Sequence, residues 1–239
     1  MGENNENRKP KYVYTSDEKA GLLEFIEDAF GEIDAIAGER VSPDIELDLA
    51  IIKPTEDLPC YTVVTCGAGA YSMNVPKELE DCNLEHAEYV MFLPEEWNLE
   101  NPNENNYWPI KLIKDCARMP IWTDSWMGPG HTLECDEGEE SYAPGVEFNG
   151  AVLINLTDDD DEPAYVILDS TGRKVNFYIV IPLFPEELDL TRESGADILV
   201  MIFTKYELPY YVADPERPRL YDILDAAEEA GASDDEDYD

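Results

Sequence analysis

The sequence predicts an α+β fold: a mixed, mainly antiparallel sheet flanked by about three helices in a single domain. Three observations carry this. Apolar residues make up 44% of the 239 and aromatics 10%, the composition of a globular protein. Strand-like runs follow one another without regularly spaced helices between them, which argues against a doubly wound parallel sheet. A chain of this length also buries roughly 70% of its unfolded surface, enough for a substantial core.

Residues 1–11 are polar and read as a flexible N-terminus. Thr15 and Glu18 have capping-box spacing, and Leu22, Phe25, Ile26, Ala29 and Ile33 recur at helical period, so a helix opens at Thr15 or Ser16. Gly38 and Pro43 punctuate its end. Ile45, Leu47, Leu49 and Ile51 alternate with Glu46, Asp48 and Ala50, the pattern of a strand with one wet face. Residues 61–66 and 86–93 are the next strands, and residues 98–107 an Asn-rich loop. Pro109 stands where a helix begins, and Ile110, Ile113, Cys116 and Ala117 supply its buried stripe as far as Pro120. From 122 to 145 no periodicity is sustained; long loops of this kind in compact domains are more often functional than incidental. Residues 150–157, 165–168 and 176–182 read as short strands. A helical pattern then runs from Glu186 to Tyr206, weakened by Gly195, which costs about 1 kcal/mol relative to Ala. Leu220, Ile223 and Leu224 suggest a last short helix, followed by a solvated acidic tail. The divisions are residues 1–11, a domain over 12–213, and 214–239.

Two β-rich runs, 61–66 and 87–93, bracket a Gly/Asn/Pro-rich connection, and the second stops at Pro94 before Trp97. This string resembles the suppressor of fused domain. The resemblance continues in order through Trp108, Pro109 and Ile110, through residues 117–120, 124–130 and 182–188, and covers roughly residues 15–210. It implies a protein-binding module without known catalysis. Its bacterial members look like immunity proteins or antitoxins that neutralise toxins. Its animal members bind transcription factors and carry a further C-terminal domain, for which this chain has too few residues.

Charge sets further bounds. Against 16 Lys and Arg stand 55 Asp and Glu, a formal −39. Such a chain is a poor partner for nucleic acid or an anionic membrane, because gripping phosphates takes many cations. A basic protein is the natural complement. Acidity spread over all faces would instead fit a salty or acidic habitat. The N-terminus lacks the apolar core of a signal peptide, Glu6 stands where a myristoylation motif needs a hydroxyl, and no apolar run approaches a membrane span. Five cysteines without paired spacing fit reduced thiols. The expectation is a cytoplasmic protein.

Four constellations invite chemistry. Residues 67–72, GAGAYS, have the look of a dinucleotide loop, but the third glycine is absent and Pro76 interrupts the required helix; a tight turn is the plainer reading. His131, Glu134, Cys135 and Asp136 crowd the long loop. A Cys–His pair needs an orienting third group and zinc needs paired ligand spacing, and neither is visible. Asp158, Asp159, Asp160, Asp161 and Glu162 lack the alternation of a calcium loop. The run reads either as a hairpin connection kept in water by repulsion or as a partner contact. The resemblance favours the contact, since the stretch is similar to the acidic turn through which animal relatives engage a peptide. Trp126, beside Met127, Gly128 and Pro129, either packs under its loop or anchors a partner.

The sequence therefore leads to a non-enzymatic binding protein, a bacterial immunity protein or antitoxin whose partner is a basic toxin domain. Trp126 and Asp158, Asp159, Asp160 and Asp161 are its expected contacts, with no metal, no cofactor and no catalytic residue. Two alternatives stand beside it: a regulatory, transcription-factor-binding adaptor, and a hydrolase built on Cys135 and His131.

Overall fold

The computed structural model describes residues 10–39, 42, 44–101, 103–135, 140–158 and 160–234. In order they form α1 (Ser16–Phe30), β1 (Ala35–Gly38), β2 (Asp48–Ile52), β3 (Cys60–Cys66), β4 (Ala87–Pro94), α2 (Glu104–Thr123), β5 (Thr132–Glu134), β6 (Gly150–Asn155), β7 (Tyr165–Leu168), β8 (Arg173–Leu183), α3 (Pro185–Ser194), α4 (Ala196–Lys205) and α5 (Leu220–Asp234). One sheet takes all eight strands in the order β1-β2-β3-β4-β8-β6-β5, with β7 also paired to β8. Every pairing is antiparallel except β4 with β8. The α+β reading therefore holds, with five α-helices among the described residues instead of about three.

The sheet is covered on both faces. Leu49, Val63, Tyr89, Met91, Leu93, Tyr178, Val180 and Leu153 point to one side and pack with Trp108, Leu112, Ile113 and Cys116 of α2. Ala50, Val64, Val90, Phe92, Val175 and Phe177 point to the other, under Leu22 and Ile26 of α1. On that same side Val152 and Ile181 meet Leu188 of α3, Leu199 and Phe203 of α4, and Leu220 of α5. This double cover is why the wet face expected for residues 45–51 shrinks to Glu46 and Asp48: Ala50 is as buried as Leu47 and Leu49.

Local chemistry sets the helix ends. The Thr15 hydroxyl accepts from the Glu18 N–H at 3.2 Å and the Thr15 N–H donates to Glu18 Oε2 at 2.9 Å, completing the capping box. Helix α1 stops at Gly31, whose φ of 99° suits glycine. It thus ends earlier than Gly38, and residues 35–38 form an edge strand that their four-residue length hides from periodicity. Helix α2 starts before Pro109, because Asn103 caps it by accepting from the Asn105 N–H at 3.3 Å, and it continues past Pro120 to Thr123. Gly195, at φ 93°, splits the 186–206 pattern into α3 and α4. Helix α5 passes through Gly231 to Asp234; residues 235–239 of the expected tail, the 1–9 segment and Pro43 lie outside the described residues.

Two polar anchors tie distant segments together. Arg217, 4% exposed, donates to Glu187 Oε1 at 2.9 Å and Oε2 at 2.5 Å and to the Pro182 carbonyl at 3.2 Å. Its guanidinium lies 4.7, 5.2 and 5.4 Å from the ring centres of Phe184, Phe148 and Phe203. Glu187 in turn caps α3 by accepting from the Phe184 N–H at 3.0 Å.

The second anchor joins β1 to α2. Glu39 accepts from Arg118 at 3.2 and 2.5 Å and from Lys114 at 3.2 Å. Burial pushes the Glu39 carboxyl up, but Arg118 and then Lys114 outweigh it and hold it below the ordinary glutamate range. A depressed pKa contributes stability that is present above the unfolded value, about 4.3, and is lost as pH falls through the folded one. Glu39→Gln should therefore flatten the loss of stability below about pH 4.3 in urea titrations at stepped pH; an unchanged acid limb would refute the linkage.

Candidate functional site

A groove of about 660 Å³ opens on the α1 side of the sheet, in the gap before α4. Phe92 of β4, Ile179 of β8 and Ile154 of β6 supply its apolar floor, Val200 and Met201 of α4 one wall, and Tyr210 and Tyr211 the other. The last wall is pinned where Val212 bridges to Phe92 and the Ala213 N–H donates to the Phe92 carbonyl at 2.8 Å. Met201 is 58% exposed and Tyr211 45%, far more than apolar side chains of that size usually show. Asn155, Thr157 and Asp197 give the rim its polar atoms.

The acidic run stands directly at this rim. Strands β6 and β7 both pair with β8, one after the other along it, and the chain leaves the sheet between Leu156 and Ala164, which still bond to Phe177. The excursion is a finger: Thr157 bridges to Pro163, the Asp158 N–H donates to the Glu162 carbonyl at 2.9 Å, and the Ala164 N–H returns to the Leu156 carbonyl at 2.7 Å. Within it the Asp158 carboxylate accepts from the N–H groups of Asp160 and Glu162, both at 3.0 Å, so this side chain shapes the turn. Asp161 takes the left-handed conformation, φ 62°, that closes it. Asp160, Asp161 and Glu162 are exposed; Asp159 lies outside the described residues.

Carboxylates far outnumber the cations available to pair with them. The cations of the described surface are largely used within the molecule: Lys19 on Asp48 and Glu46, Lys53 on Asp34, Arg173 on Glu18, Arg192 on Glu134, and Arg219 on Glu186 and Glu147. Lys174 and Lys205 sit over the rings of Tyr165 and Tyr206. The negative excess therefore rests on the carboxylates that have no cation to pair with, the finger among them.

Trp126 is half-buried, its ring 4.3 Å edge-on from that of His131 and packed against the α2-side core. The same ring lies against Gly128, where a side chain would collide with it. Tryptophan and glycine are thus fitted to one another beneath the loop, while Trp122, at 57%, is the more exposed.

The structure keeps His131 and Cys135 apart. They flank the three residues of β5, so about 13 Å of extended chain separates their Cα atoms. His131 Nδ1 is engaged by the Gly128 N–H at 2.9 Å, and Glu134 pairs with Arg192. Asp136 lies outside the described residues. Among those residues no group of three His, Cys, Asp or Glu side chains is arranged to hold a metal ion.

The glycine turn has another occupant. Glu88, wholly buried, accepts from the N–H groups of Gly67, Ala68 and Gly69 at 2.9, 3.2 and 3.0 Å, from Tyr14 Oη at 2.9 Å and from Thr65 Oγ1 at 2.5 Å. Burial pushes this carboxyl up, and the donors pull against it. The backbone concavity that resembles a phosphate cradle therefore holds the protein's own carboxyl group.

No curated protein matches the sequence. A family model described as Suppressor of fused protein (SUFU) matches residues 43–218. Among solved structures the chain is similar to one described as the Sufu-Fu complex, at 11% identity and a TM-score of 0.62 over 91% of this chain and 96% of that one. It is also similar to a SUFU homolog from Neisseria gonorrhoeae FA 1090, at 14% identity and a TM-score of 0.57 over 86% and 98%. A third likeness is to Drosophila Suppressor of Fused, at 12% identity and a TM-score of 0.53, over 79% of this chain but 46% of the Drosophila one. At such identities the likeness is one of fold.

Proposed function

This chain belongs to the suppressor of fused family, and on that premise we propose that it is a non-enzymatic protein-binding module, an immunity protein or antitoxin of a bacterium. Its partner is a basic toxin domain. The observation that carries this reading is the open apolar groove with an exposed acidic finger at its rim. Apolar anchors that enter such a groove supply holding power, while charge at the rim steers encounter and selects basic partners. A toxin that grips phosphates must be basic, and carboxylates from the finger would stand in for those phosphates.

Asp160 and Asp161 touch the partner and Asp158 shapes the finger that carries them, while Trp126, the other expected contact, lies on the α2 side of the sheet, away from this groove. Two further observations support the setting. One similar structure comes from a bacterium, and the five cysteines are free, as suits a reducing cytoplasm. No helix among the described residues is long and apolar enough to cross a membrane.

The test is stopped-flow association with the product of the neighbouring gene. The expected complex forms at rates approaching about 10⁸ M⁻¹s⁻¹ at low salt and slows steeply as salt rises. Asp160→Lys with Asp161→Lys should slow association about tenfold, whereas Met201→Glu should accelerate dissociation. A complex indifferent to salt and to both sets of substitutions would sink the reading.

A further inference from the structure

A second surface lies at the far end of the sheet. The strand order stops at β1, which pairs with β2 on one side, and Ala35, Ile36, Ala37 and Gly38 are all exposed. Edge strands are normally guarded by charges, prolines or bulges, because their unpaired peptide groups are a template for another strand. Strand β1 is short, but it carries no charge, proline or bulge: its side chains are apolar or absent, and its register with β2 is unbroken over four residues. Beside it runs a cleft of about 350 Å³ between α1 and β1, lined by Leu23, Glu27, Ile33, Asp34, Ala35 and Ile36. Ile33 packs on the core beneath, while Ile36 remains 47% exposed.

On its α1 side the unpaired charge around this edge is negative. Glu24, Glu27, Asp28 and Glu32 are exposed, and the last turn of α1 has no basic residue to balance its carbonyl end. Lys53 is spent on Asp34 at 2.6 Å. A second copy of the chain would bring its own −39 to the same place, so self-pairing is opposed by like charge.

The geometry points to β1 as a docking edge that takes an extended segment of a protein partner, alternating apolar residues with Lys or Arg, by strand addition. Peptide groups of the segment pair with β1, its apolar side chains enter the cleft beside Ile36, and its cations meet the α1 carboxylates. This edge stands at the opposite end of the strand order from β5 and is independent of the groove.

A short capped peptide alternating valine and lysine, titrated into the ¹⁵N-labelled full chain, tests it. Amide shifts should concentrate at residues 33–38. Ile36→Arg, at an exposed position that leaves the fold intact, should weaken binding by about tenfold or more, as should N-methylation of alternate peptide amides. Met201→Glu should leave this binding unchanged, which separates the edge from the groove. Three results would overturn the assignment. They are shifts confined to the acidic finger, binding insensitive to N-methylation, and a concentration-dependent dimer in sedimentation that Ile36→Arg abolishes, which would make a second copy the occupant.

Discussion

Arg217→Ala should destabilise the fold by about 3–5 kcal/mol, because it strands the Glu187 carboxylate at 0% side-chain exposure with its principal counter-charge gone. The same change empties the space between Phe148, Phe184 and Phe203 and removes the donor to the Pro182 carbonyl. Total stabilities of domains run only about 5–15 kcal/mol, so the variant should sit near its unfolding midpoint at mild urea concentrations. Arg217→Lys should recover less than half, since one ammonium cannot reproduce two parallel contacts. Replacing the pair together, Arg217→Met with Glu187→Leu, should restore most of the loss, because no buried charge is left unpaired. Equilibrium urea unfolding of the three variants decides the matter; a double variant as weak as Arg217→Ala would show that the ring packing, not the ion pair, dominates.

Glu88→Ala should be of similar size, at least about 4 kcal/mol. Three backbone N–H groups and two hydroxyls lose their acceptor in a place water cannot easily reach, and each orphaned donor costs about 1–3 kcal/mol before the surroundings relax. Because Tyr14 and the 67–69 turn converge on this one carboxylate, amide exchange should accelerate in both segments together. Gly67→Ala should mimic it from the other side: its φ of 145° disfavours any side chain, and a Cβ there would meet the Glu46 carbonyl. If Glu88→Ala unfolded at the wild-type urea midpoint, the network would be ornamental.

Where periodicity or capping chemistry decides structure, the sequence could be read directly. The Thr15 box and the 165–168 strand come from residues within a few positions of one another, whereas Gly195, read as weakening one helix, in fact divides two. Strand β1 was not legible, because four small apolar residues carry no period; it exists through its pairing with residues 48–51. The same holds for β5, three residues whose partner lies beyond the long loop.

At the site, the acidic run was visible but its shape was not, since a finger requires both flanking strands to share β8. The groove was hidden for a different reason. Phe92, Ile179 and Met201 come from three elements, and only the excess of apolar residues on α4 beyond the Leu199 and Phe203 stripe hints at an unmet face. Arg217 and Glu88 read as two more charges in a charged chain until burial singles them out.

The finger between Leu156 and Ala164 leaves the sheet at a point where nothing depends on its length. Backbone bonding to β8 runs out at Leu156, which also packs on the core, and resumes at Ala164, so only the tip between Thr157 and Pro163 can be rewritten or extended without disturbing register or core. Doubling the length of such an insertion costs only about 0.6 kcal/mol in closure entropy. A single protruding tip can thus vary in length and charge while the scaffold beneath stays constant, which is what the proposed binding role would use.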